Sequence, residues 1–246
     1  MNKFNTYCIN LEHRNDRKIN SIKNFKKIGI NNPIYPFFTK DERGGVYGCF
    51  KSHMEIWKQF YKTGDKFCFI FEDDFTFEKN PNTIKKTMIK AIDFIKKNYK
   101  NVDILLLHNY CIPVDNKYND ENFINGFGLS THSMIITRRY IKKIFKKIGS
   151  FPTPTGRHID VEMNHNMIDN DNYIYSDKIF YTKDECFKQI VDKSDNYLNF
   201  VDEYIIKDRN LHINYLKNFL SIIKKYTLIS DENIKILGYF YEKYFL

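Results

Sequence analysis

FCFIFEDDF, residues 67–75, sets five core residues directly before three carboxylates. Phe67, Cys68, Phe69, Ile70 and Phe71 form an unbroken apolar run rich in aromatics, which reads as a strand buried on both faces, as in a largely parallel sheet. Glu72, Asp73 and Asp74 then stand at its C-terminal end. Neighbouring negative charges repel, so ionising all three at the edge of a core is costly unless a cation shares them. Carboxylates aligned at a strand end suit Mg²⁺ or Mn²⁺, hard ions that take oxygen ligands and share them with substrate phosphates. Strand alternation places Glu72 and Asp74 on one side and Asp73 on the other. The plain alternative is a solvated acidic turn.

Working outward, Phe4 to Asn10 reads as a first strand. After a polar turn, Ile19, Ile22, Phe25 and Ile28 recur at helical spacing from an Asp16 N-cap to a stop at Gly29. Pro33 to Phe38 is extended. A second helix is expected from Gly48 to Tyr61, with Phe50, Met54, Trp57 and Tyr61 on one face and Gly64 ending it. Beyond the acids, Thr83 to Lys97 patterns as a helix, Val102 to Leu107 as a strand ending at His108 and Asn109, Ser133 to Thr137 as another strand, and Ile141 to Ile148 as a basic amphipathic helix. Strands alternate with helices, the pattern of an α/β domain with a mainly parallel sheet. Ligands bind such sheets beyond the carboxyl ends of the strands.

After Pro152 and Pro154 the pattern loosens into loops, a short helix near Asp160 to Met167 and strand-like Tyr173 to Tyr181. Two amphipathic helices then follow, carrying Leu211 to Ile223 and Ile234 to Phe245. The expected organisation is a domain over residues 1–205 with a helical extension over 206–246.

The chain has 246 residues, 42% hydrophobic and 17% aromatic, enough for one substantial domain. Its 39 Lys and Arg against 30 Asp and Glu give a net charge of +9, which favours anionic ligands without choosing among them. Five cysteines, at 8, 49, 68, 111 and 186, form no C-x-x-C pair and fit a reducing compartment. The start lacks a signal-peptide core, and no stretch reaches the ~18 apolar residues of a membrane span. A cytoplasmic protein, soluble or peripheral to a membrane, is the expectation. P-loop, serine-hydrolase and zinc-protease motifs are absent.

Arg14 and Arg17 flank the first strand–helix turn, where a helix N-terminus favours phosphate. Lys51, Ser52 and His53 lie early in the second helix, and His53 reads equally well as a packed core histidine. Asp160 reads alone as an N-cap.

Taken in order, YCINLEHRNDRK (7–18), GVYGCFKSHMEIWKQ (45–59), FIFEDDF (69–75), THSMIITRR (131–139) and HID (158–160) resemble the successive motifs of glycosyltransferase family 25, over roughly residues 4 to 195. The resemblance implies a GT-A nucleotide-diphospho-sugar transferase fold with a mainly parallel mixed sheet, a UDP-sugar donor, Mn²⁺ or Mg²⁺, and inversion at the anomeric carbon. It implies galactose or glucose as the sugar, and a glycan, lipooligosaccharide or glycoprotein as the acceptor, with no role for nucleic acid. Position by position, Asn10, Leu11 and Arg14 fall in the uridine-side motif, Ser52 and His53 in the second motif, Asp73 and Asp74 with Glu72 in the metal site, and Asp160 in the late motif, as general base. Gln189 and Ser194-Asp195 match the closing motif more loosely, and Ser130-Thr131-His132 departs from the family's glycine-threonine pair. Metal-dependent phosphoesterases or nucleases, and a nucleotide- or glycan-binding protein without turnover, are the rival readings.

Overall fold

The computed structural model describes residues 4–77, 79–107, 111–115, 123–128, 131–154, 159–160, 163, 172–175 and 181–182. The expected 206–246 extension, Gln189, Ser194, Asp195, His108 and Asn109 lie outside the described residues.

In chain order the elements are β1 (Thr6–Ile9), α1 (Asn15–Lys27), α2 (Gly45–Thr63), β2 (Phe67–Glu72), β3 (Phe75–Thr76), α3 (Pro81–Lys97), β4 (Ile104–Leu106), β5 (Cys111–Asp115), β6 (Phe123–Gly128), β7 (Ser133–Thr137), α4 (Arg138–Ile148), β8 (Asn172–Tyr175) and β9 (Tyr181–Thr182). Seven strands form one sheet in the order β1-β2-β7-β4-β8-β6-β5, and β3 pairs with β9 apart from it. Among the described strands, β1–β2 and β4–β8 pair in parallel, while β7 and β6 run against their neighbours. The expectation of a mainly parallel sheet therefore holds for strand direction but not for pairing. The reversed strand β7 lies between β2 and β4, so each of those two meets an antiparallel neighbour there.

The apolar run explains why β2 sits inside the sheet. Phe67, Phe69 and Phe71 pack on one face with Phe25 of α1, Ile28 just after it, and Ile84, Met88 and Ile95 of α3. Cys68 and Ile70 pack on the other with Phe50, Trp57 and Phe60 of α2 and Tyr140, Ile141 and Ile144 of α4. The result is three layers, helices on both sides of a mixed sheet.

Element ends follow local chemistry. Gly64 and Gly149 close α2 and α4 with φ of 85° and 74°, in the left-handed region that favours glycine. Helix α3 starts earlier than the apolar spacing predicts, because the Asn80 side chain accepts from Asn82 N at 2.8 Å and Pro81 takes the first helical position, where its missing N–H costs nothing. Asp16 does not cap α1. The cap position is Arg14, and Asp16 lies in the first turn, bonded to the Arg14 guanidinium at 3.0 Å.

Candidate active site

The parallel pair β1–β2 brings Ile9 opposite Glu72, so the turn after β1 and the acids after β2 emerge at the same end of the sheet. Because β7 is reversed and starts opposite Phe71, Thr131 and His132 arrive at that end too. The first half of α2 contributes Cys49, Ser52 and His53.

Alternation stops where β2 stops. Glu72 is its last residue, and Asp73 and Asp74 belong to the turn into β3. Both turn acids face one cation. Arg17 Nη1 donates to Asp73 Oδ1 at 3.2 Å and to Asp74 Oδ2 at 3.4 Å. Asp73 is buried, and its other oxygen accepts from Asn10 Nδ2 at 2.6 Å. The same Asn10 amide donates to Arg14 O at 3.1 Å, tying the first turn to the acid. Burial pushes the Asp73 pKa up and Glu72 adds to this; the bonds from Asn10 and Arg17 act in the opposite direction.

Glu72 turns elsewhere. Its Oε1 accepts from Thr131 Oγ1 at 2.6 Å and meets His53 Nε2 at 3.4 Å. Burial alone would raise its pKa, but the bond and charge of His53 and the Thr131 hydroxyl bring it below the ordinary value. His53 is fully buried. The Ser52 hydroxyl donates back to Gly48 O at 2.8 Å, so its proton is spent inside α2. Leu11 bridges to Phe38, fixing the course of the chain after β1. Arg14 is committed to Asp16 by a two-pronged pair at 3.0 Å.

Asp160 is half-buried and lies in helical backbone beginning no later than Ile159, so it is a helix residue and not the N-cap. Ile159 and Met163 anchor that segment in the α2–α4 side of the core. Burial, and after it the charges of Glu72, Asp160 and Asp74, lift the pKa of the Cys49 thiol well above the usual range. Asp160 thus acts on the same thiol as two of the acids that follow the apolar run.

Three contributors escaped the sequence reading. Arg17 was visible only as a basic residue near a phosphate-binding turn, and its pairing spans 56 residues of chain. Thr131 opens the THSMIITRR motif, but nothing in that stretch marked it as a partner of Glu72. Cys49 read as core, although its four-residue spacing from His53 puts both on one face of α2.

Residues 40–161 match the sequence model of Glycosyltransferase family 25 (LPS biosynthesis protein). Over this stretch the chain belongs to glycosyltransferase family 25. It is a glycosyltransferase, and the family-25 segment carries His53, Glu72, Asp73, Asp74, Thr131 and Asp160, while Asn10, just after β1, and Arg17, in α1, join them from the chain that precedes it. No curated protein matches the chain. Among solved structures it is similar to A197 from STIV, at 12% identity and a TM-score of 0.44 over 73% of this chain and 85% of that one. It is also similar to a provisionally named glucose-1-phosphate thymidylyltransferase from Bacillus anthracis in complex with sucrose, at 9% identity and a TM-score of 0.41 over 72% and 69%. Apo UDP-glucose pyrophosphorylase follows at 12% identity and a TM-score of 0.36 over 67% and 64%. Likenesses of this size assign nothing to the family-25 chain.

The donor set fits a divalent cation at Asp73 and Asp74. A single nitrogen, Arg17 Nη1, lies within bonding distance of both carboxylates, so one oxygen of each already faces a common cationic point. Hard oxygen ligands at such a point are what Mn²⁺ and Mg²⁺ take. Glu72 Oε1 is directed to Thr131 and His53 instead. Replacing Arg17 by Ala should leave a buried and a nearly buried carboxylate side by side. A loss of about 1–2 kcal/mol is expected, below the figure for a fully buried pair because Arg17 is a quarter exposed. Scanning fluorimetry with and without Mn²⁺ checks the fit. The ion should raise the melting temperature more in Arg17→Ala than in the wild type, and an identical response in both would show that no divalent cation reaches this point.

Proposed function

We propose that the chain transfers a hexose, galactose or glucose, from a UDP-sugar to a hydroxyl of a glycan, lipooligosaccharide or glycoprotein acceptor, with inversion, on a GT-A type domain. The observation that carries this is the convergence of Asp73 and Asp74 on one cationic point, beside the turn after β1, at the sheet end where the helix α1 begins. Asp74 and Asp73 would hold a divalent ion, Mn²⁺ or Mg²⁺, which when bound supplies Lewis-acid stabilisation of the departing diphosphate.

The remaining work falls to the chain itself. Asn10 fixes the Asp73 carboxylate from one side. Leu11 and Arg14 border the same turn, on the uridine side of the donor. Ser52 and His53 shape the wall formed by α2, with His53 and Thr131 holding Glu72 in place. Asp160 takes the proton of the acceptor hydroxyl as that oxygen attacks the anomeric carbon from the face opposite the leaving UDP. A base separate from Asp73 and Asp74 is required because their charge is committed to the cation.

A panel of UDP- and GDP-sugars, assayed for nucleotide release with Mn²⁺ and with a chelator, tests the reading without an acceptor in hand. Release of UDP from one UDP-hexose, abolished by the chelator, is expected. Phosphate release from phosphomonoesters or nucleic acid, with no UDP-sugar cleaved, would favour a phosphoesterase instead.

A further inference from the structure

Beside Asp73 and Asp74 lies a second group, built around a thiol that the transfer reading leaves unused. Cys49, His53 and Glu72 each bring one ligand atom to within 4.8 Å of the other two. Cys49 and His53 are one turn apart on the same face of α2, and Glu72 reaches them from the last position of β2. We propose that these three side chains form a binding site for a borderline divalent metal, Zn²⁺ by its donor chemistry, distinct from the all-oxygen point at Asp73 and Asp74.

Its chemistry and its geometry support it. The donor set of thiol, imidazole and carboxylate is the mixed sulfur, nitrogen and oxygen set that zinc accepts, whereas Mg²⁺ and Mn²⁺ take oxygen. With Zn–ligand bonds of about 2.0–2.3 Å, ligands on a tetrahedral ion stand roughly 3.2–3.7 Å apart. His53 Nε2 and Glu72 Oε1, at 3.4 Å, already have such a separation, and 4.8 Å for the widest pair needs only side-chain movement. A hydrogen-bonded His–Glu pair would account for those two residues but not for a thiol set against them, since sulfur is a weak hydrogen-bond partner.

The surroundings point the same way. His53 Nδ1 is buried without a hydrogen-bond partner among the described residues, so the bond to Glu72 does not complete the ring. Thr131 donates to Glu72 Oε1, the kind of outer contact that orients a carboxylate ligand. Cys49 and Glu72 are half-buried, which leaves a route in for the ion. Three protein ligands leave the fourth position open. Bound there, the metal would tie the first half of α2 to the end of β2 and hold the wall against which the acids stand.

Co²⁺ is the probe, because a cobalt–thiolate bond absorbs in the near ultraviolet and a cobalt–carboxylate bond does not. Titrating the metal-free, full-length protein with Co²⁺ should produce a thiolate band that saturates at one equivalent, is displaced by Zn²⁺, and is lost in Cys49→Ser. An ion held only by Asp73 and Asp74 gives no such band, so this outcome is independent of the transferase reading. No band in the wild type, or a band undiminished in Cys49→Ser, would overturn the proposal. Should the variant fail to fold, alkylation of Cys49 in the wild type decides: Zn²⁺ must protect it, and equal modification with and without Zn²⁺ refutes the site.

Discussion

Asp160→Asn should lower kcat by the ~10²–10⁴ typical of losing a general base, while leaving UDP affinity close to wild type. The residue is half-buried, and its charge acts with those of Glu72 and Asp74 on the Cys49 thiol, which places it beside the site. Reading Asp160 as a cap is no longer available, because Ile159 is already helical. What a purely structural role leaves is an acid in an early helical turn, worth about 0.3–1 kcal/mol against the helix dipole. Asn would forfeit that small term and nothing in turnover. Turnover and UDP affinity of this one variant therefore separate the two roles. Wild-type turnover would move the base elsewhere, with Asp195, beyond the described residues, as the next acid in line.

Phe71→Ala should cost about 3–5 kcal/mol of stability, the range for deleting a fully buried aromatic ring. Phe71 has no exposed surface and lies against Phe25 at 5.1 Å, Phe75 at 4.8 Å and Phe69 at 6.4 Å between ring centroids. Those neighbours come from α1, β3 and β2, so the cavity would open where all three meet. The acids begin at the next residue. A shift at the end of β2 would therefore reach Glu72 first, and urea denaturation combined with the activity of the folded fraction should show both stability and turnover reduced. A midpoint within experimental scatter of the wild type would mean that this face of β2 is not the core described here.

Much of this was legible because the strongest signals are local. Five apolar residues in a row read as a buried strand, and β7 spans Ser133 to Thr137, as expected, around the apolar Met134, Ile135 and Ile136. The helix α2 ends at Gly64 as its sequence predicts. Strands β5 and β6 were not foreseen, since Pro113, Asn125, Gly126 and Gly128 break the apolar pattern of a strand, and the pairing between them is interrupted after Pro113. Pairing direction is a long-range property: nothing in Ser133–Thr137 says that it lies reversed between β2 and β4.

The site divides along the same line. That Glu72, Asp73 and Asp74 stand at a strand end follows from their neighbours in sequence. That Asp73 and Asp74 share Arg17, while Glu72 turns to His53 and Thr131, depends on which strands are adjacent and on where β2 stops. Among the described residues, part of the positive charge gathers away from that end of the sheet. Lys100, Arg139, Lys142, Lys143 and Lys146 line a cleft together, with Arg139 and Lys143 bonded to Asp103, which immediately precedes β4 and so lies at the opposite end of the sheet from Glu72.

The central claim is that the acid pair after β2 holds a nucleotide diphosphate through a divalent cation. Calorimetric titration of UDP into the wild type and Asp74→Asn, each with and without Mn²⁺, tests it most directly. The account predicts that Mn²⁺ strengthens UDP binding to the wild type and not to the variant, with the two melting temperatures nearly equal in metal-free buffer. Equal Mn²⁺-dependent affinity for UDP in both proteins would contradict it.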